Sequence, residues 1–139
     1  MAQSEIFLPM GVLAFWTFAV LSLVPLRRFR AGAEGKVSEK DFKFGESARV
    51  PGTVSIPNRN YMNLLELPVL FYVVCLMFYV TNWVDAPALW LAWTFVVLRL
   101  IHSLIHLTYN KVRHRLVPFA FANLAVLAMW CLFFVRMYG

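Results

Sequence analysis

Three polar side chains share one helical face near the start of an apolar stretch. Arg59, Asn63 and Glu66 supply a cation, an amide and a carboxylate at offsets of four and seven residues. At about 100° per residue they fall within about 60° of one another. Glu66 would then lie about 10 Å further along the helix axis than Arg59. Because arginine binds carboxylates through paired hydrogen bonds, this face could hold an anionic ligand.

A second polar face follows at the end of a later apolar stretch. Its members are Arg99, His102, His106, Tyr109 and Arg113. On a straight helix they span about 80° of arc and about 21 Å of length. We expect the two faces to meet, because ionisable groups within a membrane segment avoid lipid. One acid does not balance the arginines of the two faces, so the excess positive charge favours an anionic ligand.

Two other interpretations of these residues stay open. Glu66 could neutralise Arg99 in a purely structural ion pair. His102 and His106, four residues apart, could share a metal ion, since histidines at that spacing can bind one together. Only Glu66 could serve as a third ligand, and the sequence has no His-Glu-x-x-His pattern. We therefore expect no metal.

The elements that carry these faces are expected to cross a membrane. Of the 139 residues, 61% are hydrophobic and only 14% are charged, whereas a soluble domain has about a quarter charged residues. Four apolar stretches reach the roughly 20 residues that a bilayer core requires. They lie at about 6–26, 61–81, 86–108 and 116–135, with a long loop over 27–58. The pattern predicts one all-α domain, an integral membrane four-helix bundle.

Two residues of the second stretch predict local features of its helix. Asn58 follows Pro57 and is a candidate N-cap, since an asparagine side chain accepts a hydrogen bond from the first helical turn. Pro68 predicts a kink, because proline removes a backbone hydrogen bond to the preceding turn.

Basic residues are divided unevenly between the two ends of the spans. Eleven Lys and Arg residues lie in the loops after the first and third spans, counting Arg59, and only Arg136 lies at the opposite end. The positive-inside rule then places both loops in the cytoplasm and both termini outside, in what we expect to be a bacterial inner membrane. Topology and contact with anionic membrane lipid account for the net charge of +6, and we expect no nucleic-acid partner.

At these positions the sequence resembles the membrane-associated proteins in eicosanoid and glutathione metabolism, the MAPEG family. This family includes the microsomal glutathione transferases and leukotriene C4 synthase. The run Arg59-x-x-x-Asn63-x-x-Glu66, followed by Leu67-Pro68, resembles the family's signature at the start of its second helix. The stretch from Arg99 to Arg113 resembles its third helix. The resemblance implies a homotrimer with a glutathione site between adjacent subunits.

The resemblance also implies roles for individual residues. Arg59, Asn63 and Glu66 would bind glutathione, and one of Arg27, Arg28 or Arg30 of a neighbouring subunit would contact one of its carboxylates. Arg113 stands where the family carries the arginine that stabilises the thiolate.

The third helix departs from part of the family. The leukotriene branch carries tyrosines where this chain has Leu67, His102 and His106. We expect both histidines to remain glutathione contacts, and Tyr109 could replace a lost hydroxyl.

We therefore expect a membrane-bound glutathione transferase, or peroxidase, that acts on lipophilic electrophiles, with glutathione as the co-substrate. A guanidinium near a thiol lowers its pKa and so favours the nucleophilic thiolate. One alternative is a non-enzymatic lipid-binding or scaffold member, which would not need an arginine at the thiol. Another is a small transporter or proton-conducting trimer that uses His102 and His106. Against the latter, spans one and four carry few polar residues at depth, Ser22 and Asn123 among them.

Overall fold

The computed structural model describes residues 2–139, and about 80% of the chain is helical. The five α-helices are α1 Phe7–Ala33, α2 Gly52–Leu65, α3 Pro68–Val80, α4 Ala86–Leu107 and α5 Val112–Tyr138. Helices α2 and α3 follow one another as a single span, so that four segments are long and apolar enough to cross a membrane: Gln3–Ala33, Gly52–Val80, Ala86–Leu107 and Val112–Tyr138. The predicted all-α membrane four-helix bundle is confirmed.

The second span begins about two turns earlier than the sequence suggested. Asn58 is not the N-cap, because it lies inside α2, and Pro51 caps the helix instead. The carbonyl oxygen of Pro51 accepts hydrogen bonds from the backbone N–H groups of Val54 (2.9 Å) and Ser55 (3.2 Å). Val54 also packs with Ala31 at the end of α1 and with Val50. This apolar contact holds the extra turns in place although Pro57 lacks a backbone donor.

The expected kink at Pro68 is a complete break between α2 and α3. Proline occupies the first position of α3, where its missing N–H costs nothing. At Glu66 the backbone leaves helical geometry, with ψ of −94°. The Glu66 N–H still bonds to the Met62 carbonyl (3.1 Å). Glu66 thus lies at the junction of the two helices. The break leaves carbonyl groups of the last turn of α2 without their usual partners.

The apolar core lies between the spans, and the outward faces remain apolar. Phe71 of α3 stacks on Phe95 of α4 with ring centroids 4.6 Å apart, and Phe78 of α3 meets the edge of Phe133 of α5 at 5.7 Å. Large side chains such as Phe15 and Leu127 are exposed on the outside of the bundle. An apolar exterior of this kind suits contact with lipid rather than with water.

Candidate functional site

A cleft of about 350 Å³ opens beside the break in the second span. One wall is a face of α2 that carries Arg59, Asn63 and Glu66. The opposite wall is the end of α4 and the start of α5, which contribute His106, Asn110 and Arg115. Met62, half exposed, adds an apolar edge. The structure thus brings the first predicted polar face into a common cleft with part of the second.

Arg59 and Glu66 have exposed side chains in this cleft, whereas Asn63 is half-buried. The Asn63 side-chain amide donates to the Arg59 carbonyl oxygen at 3.0 Å, one turn back on the same helix. That bond uses one amide donor and leaves the side-chain oxygen of Asn63 to the cleft. The wall formed by α2 therefore offers a cation, an amide oxygen and a carboxylate that a ligand can reach.

Arg115 reaches the cleft from the first turn of α5. Its Nη1 donates to the Asn110 side-chain oxygen at 2.7 Å. Asn110 itself has a φ of 48°, a left-handed conformation that asparagine adopts more readily than most residues. The backbone N–H of Asn110 caps α4 by bonding to the Ile105 carbonyl at 2.8 Å. This tight turn between α4 and α5 is what directs Arg115 toward α2.

A buried arginine lies behind the cleft and holds the broken helix. Arg99 is fully buried, and its Nη2 donates a hydrogen bond to the Asn63 carbonyl oxygen. That carbonyl is one of the groups released where α2 ends. The Arg99 guanidinium also lies 5.6 Å from the ring centroid of Phe119. Arg99 therefore fixes the helix end that carries Asn63 and Glu66.

The two histidines lie between this arginine and the cleft. The His102 and His106 rings are 5.9 Å apart, and both side chains are buried. The Nδ1 atom of His102 lies 2.8 Å from the Arg115 carbonyl oxygen and thereby ties α4 to α5. His106 lines the cleft, and its buried Nδ1 atom has no hydrogen-bond partner within residues 2–139. Of the pair, only His106 can contact a ligand in the cleft.

A polar contact that the sequence analysis did not anticipate ties three spans together beside the site. The buried Asn60 amide donates to Ser103 Oγ at 2.7 Å and to the Ser103 carbonyl at 3.3 Å. Trp16 of α1 donates from Nε1 to the same hydroxyl at 2.8 Å. The signal in the sequence was the polarity of Asn60 and Ser103 within apolar spans. Asn58 and Asn110 also line the cleft. The sequence analysis had treated Asn58 as a helix cap and Asn110 as part of an unbroken helix, so it assigned neither residue to the site.

Tyr109 and Arg113 lie outside the cleft, contrary to the expected stripe. Helix α4 ends at Leu107 and α5 begins at Val112, so the two residues do not continue the helical register. The Tyr109 hydroxyl lies 3.3 Å from Nδ1 of His114, with both side chains exposed. Arg113 is also exposed, on the first turn of α5. Arg115 therefore occupies the cleft position that the sequence had assigned to Arg113.

The observed contacts bear on two further interpretations of the sequence. No ion pair joins Glu66 to Arg99 in the part of the chain that the structure describes, because Arg99 bonds to the Asn63 carbonyl instead. Arg28 and Arg30 are paired within their own chain, with Glu46 and Glu34, each at 3.1 Å. Glutathione contacts from either arginine would compete with these pairs.

The chemistry of the cleft follows from its charges. Two arginines on opposite walls face a space that Glu66 shares, and the cleft is open to solvent on one side. Such a site attracts an anionic ligand that also carries an ammonium group, because both charge signs find a partner. Arg115, held by Asn110, is a pre-positioned cation for a negative charge that develops next to it.

Comparison with known proteins gives one match. A family model described as the MAPEG family matches residues 6–135 of the 139-residue chain. No curated protein and no solved structure matches the chain.

Proposed function

The chain belongs to the MAPEG family, and from that premise we propose that it is a membrane-bound glutathione transferase whose site is the cleft between α2 and the α4–α5 turn. One observation carries the proposal. Arg59 and Arg115, from different spans, face a single solvent-open cleft that also holds the carboxylate of Glu66. Glutathione has two carboxylates, an ammonium group and a thiol, and this set of side chains is complementary to it.

The binding step assigns each charge a partner. A glutathione carboxylate pairs with Arg59 near the mouth of the cleft, because a guanidinium binds a carboxylate in bidentate fashion. The ammonium group pairs with Glu66 at the helix break. The side-chain oxygen of Asn63 accepts a hydrogen bond from the ligand. The imidazole of His106 can accept one or donate one, depending on its tautomer. Arg99 takes part indirectly, by fixing the end of α2.

The chemical step uses Arg115. The thiol proton leaves to water at the open side of the cleft, and the Arg115 guanidinium stabilises the thiolate that remains. The thiolate sulfur attacks an electrophilic carbon, a sulfur–carbon bond forms, and the leaving group departs with its electron pair. An apolar electrophile approaches from the lipid along Met62, while glutathione enters from water. Holding two dissimilar reactants together in this way provides much of the rate gain.

The assembly and the orientation belong to the same proposal. We propose a homotrimer, in which a neighbouring subunit adds further contacts to the cleft and leaves its mouth open to the cytoplasm. We also propose that the basic loops face the cytoplasm of a bacterial inner membrane, where glutathione is supplied. Both termini then lie on the other side of the membrane.

A non-enzymatic, lipid-binding member of the family is the second candidate. The observation that favours it is the exposed position of Arg113, the residue that family likeness assigned to the thiol. A binding protein needs the carboxylate-binding cation Arg59 but has no use for a thiolate-stabilising one. Formation of the thiolate therefore separates the two candidates.

Glutathione binding to the purified protein tests the proposal. Titration should show saturable binding, and ultraviolet absorbance should show a bound thiolate at neutral pH. Glu66→Gln should weaken binding, whereas Glu39→Gln, an exposed acid at the same end but outside the cleft, should not. Binding without thiolate would favour the non-enzymatic candidate. Failure to bind glutathione at all would refute both the site and the activity.

Thiol labelling in intact cells tests the orientation. Lys111→Cys lies in the turn between α4 and α5, and Tyr138→Cys lies in the exposed last residues of α5. An impermeant reagent should label Tyr138→Cys and leave Lys111→Cys unmodified. The reverse pattern would invert the topology, and a site supplied with glutathione from the cytoplasm would then be untenable.

A further inference from the structure

A second cavity, of about 950 Å³, lies between the last turns of α1 and the loop that follows. It shares no lining residue with the cleft described above. Along α1 its lining extends from Leu21 to Ala33, about 18 Å of helix. On the other side it is lined by the loop from Val37 to Lys43. We refer to this cavity as the loop groove.

The loop groove changes in character along its length. The part formed by α1 is apolar apart from Arg28, with Leu21, Val24 and Phe29 among its side chains. The part formed by the loop adds Lys40 and Lys43. An amphiphile with an apolar chain and an anionic head has the same polarity profile in the same direction.

The loop that forms this groove is held in place by specific contacts. The buried carboxylate of Asp41 accepts hydrogen bonds from the Ser38 N–H (2.8 Å), the Ser38 hydroxyl (3.0 Å) and the Ser47 hydroxyl (2.8 Å). Arg28 of α1 pairs with Glu46 at 3.1 Å and lies 4.5 Å from the centre of the Phe42 ring. The Asp41 contacts hold the loop together and the Arg28 contacts fasten it to α1, so the groove is a built feature of the fold.

The charges in the groove favour an anion. Arg28 is already paired with Glu46, but Lys40 and Lys43 have no carboxylate within 4.0 Å anywhere in residues 2–139. Glu39 is the one acid among the lining residues in this described part of the chain. Two lysines without partners, against one exposed acid, leave the loop end of the groove positive.

Exposed aromatic rings place this region at the surface of the membrane. Phe29 is 78% exposed and Phe44 is 92% exposed, and the Lys43 ammonium lies 5.2 Å from the centre of the Phe44 ring. Phe side chains beside lysines suit a segment that lies at the boundary of acyl chains and headgroups, because the rings enter the apolar region while the charges stay in the polar one. Lysine side chains there extend their ammonium groups toward phosphates while their stems stay apolar.

We propose that the loop groove binds one anionic phospholipid of the surrounding leaflet. An acyl chain lies along α1 between Leu21 and Phe29, and the phosphate is held by Lys40 and Lys43. The bound lipid thereby joins α1 to the loop at the same end of the bundle as the cleft. This site depends on the charge and shape of the groove alone, so it can stand or fall independently of glutathione chemistry.

Native mass spectrometry of the full-length protein in detergent tests the proposal. The probes are dioleoylphosphatidylglycerol and dioleoylphosphatidylcholine, which share their acyl chains and differ in net charge. The wild-type chain should retain the anionic lipid in preference to the zwitterionic one. The double variant Lys40→Gln/Lys43→Gln should lower the affinity for phosphatidylglycerol by about tenfold or more, because cations near an anionic headgroup dominate such binding. Equal retention of the two lipids would overturn the proposal.

Matched variants separate the groove from general charge effects. Lys36→Gln/Lys111→Gln removes the same charge at the same end but outside the groove, and should keep the preference. Gly32→Phe should fill the groove and abolish retention, because a side chain at Gly32 meets no atom within 4 Å and the helix can accommodate it. Gly11→Phe, equally unobstructed and outside the groove, should bind lipid as the wild type does. If the lysine variant and its control bind alike, the proposal is wrong.

A photo-crosslinker at Phe29 identifies what occupies the groove in a native membrane. A covalent adduct with the mass of a phospholipid supports the proposal. A cross-link between two copies of the chain at this position would instead show that a neighbouring subunit fills the groove, and would overturn it.

Discussion

At the end of the bundle that carries both termini, polar groups pair with one another, whereas at the opposite end several stay without a protein partner. Arg136 of α5 donates to Asp85 at 2.5 Å and to the Trp83 carbonyl at 2.9 Å. The Gln3 side chain bonds to both backbone groups of Val84, at 2.8 and 3.2 Å. These contacts join the start of the chain, the α3–α4 turn and the end of α5.

The end that carries the cleft also contains polar side chains between the helices, but several of their buried atoms have no hydrogen-bond partner. Eight buried side-chain nitrogen and oxygen atoms lack a partner within residues 2–139, and five of them belong to Asn60, Arg99, His102 and His106. Buried polar atoms in proteins are nearly always bonded, so their concentration beside the cleft supports the cleft as the proposed ligand site. Of the other three atoms, Trp130 Nε1 lies nearer the end that carries the termini. The two ends therefore differ in degree: most polar groups near the termini are paired, whereas several beside the cleft are not.

The largest expected effect concerns the two arginines at the start of α5. Arg115→Ala should lower turnover by about 100- to 1000-fold, since it removes a pre-positioned cation from the developing thiolate. Arg113→Ala removes the same charge from the same turn but outside the cleft, and should leave turnover nearly unchanged. Steady-state kinetics with glutathione and a lipophilic electrophile measure both. If the two variants exchanged these effects, the register assigned to α5 would be wrong.

Two asparagines one turn apart separate stability from binding at the cleft end. Asn60→Ala removes the hydrogen bonds to Ser103 and should lower the free energy of unfolding in detergent by about 0.6–1.7 kcal/mol, the range for polar contacts between membrane helices. Asn63→Ala loses only a bond within its own helix, so it should weaken glutathione binding while stability stays nearly the same. A stable Asn60→Ala protein would mean that the Ser103 contact is dispensable.

At the end that carries both termini, removing a charge should lower the free energy of unfolding slightly and leave turnover unchanged. Arg136→Leu should cost about 0.2–1 kcal/mol, because the ion pair with Asp85 is partly exposed. Asp85→Asn removes the same ion pair but keeps the side-chain oxygen that caps α4 at the Ala88 N–H (3.0 Å). It should cost no more than Arg136→Leu, which also loses the hydrogen bond to the Trp83 carbonyl. Thermal unfolding and turnover test both. A loss of turnover in either variant would contradict the division of the bundle into two distinct ends.

Much of the fold, and the part of the site that lies on α2, could be predicted from the sequence, because these features depend on hydropathy and local spacing. Four spans, a departure from regular helix at Pro68 and the shared face of Arg59, Asn63 and Glu66 follow from an apolar composition, a proline and a helical period, although the sequence predicted a kink at Pro68 rather than a complete break. These features involve neighbours in sequence, for which the geometry of a single helix is sufficient.

The rest could not be predicted because it depends on where helical geometry ends. The stripe from Arg99 to Arg113 assumed one continuous helix, but the left-handed turn at Asn110 resets the register, and Arg115 takes the cleft position instead. The alternative of an ion pair between Glu66 and Arg99 is not realised for a similar reason. The break in the second span freed the Asn63 carbonyl, which accepts a hydrogen bond from the buried guanidinium.

The smallest expected effect concerns Asp41, a polar group at the cleft end that is fully satisfied, unlike its neighbours within the membrane. The hydrogen bond from the Ser38 N–H, with further bonds from the Ser47 and Ser38 hydroxyls, lowers the pKa of Asp41 below its ordinary value of 3.8. A lowered pKa means that the folded loop stabilises the ionised carboxylate of Asp41 more than the unfolded loop does. Its contribution to loop stability is therefore complete above pH 3.8 and is lost as the pH falls below that value through the folded pKa.

Hydrogen exchange at the Ser38 and Ser47 amides, corrected for the intrinsic rate at each pH, measures this contribution. Protection in the wild type should be constant near neutral pH and should fall in acid. Asp41→Asn should show weak protection at every pH, because a neutral amide cannot accept all the hydrogen bonds that the carboxylate accepts. Glu39→Gln, in the same short helical turn but with an exposed side chain, should behave as the wild type does. If Asp41→Asn kept its protection at neutral pH, the carboxylate would not be what fastens the loop. The satisfied polar contacts at the cleft end would then lie elsewhere in the loop.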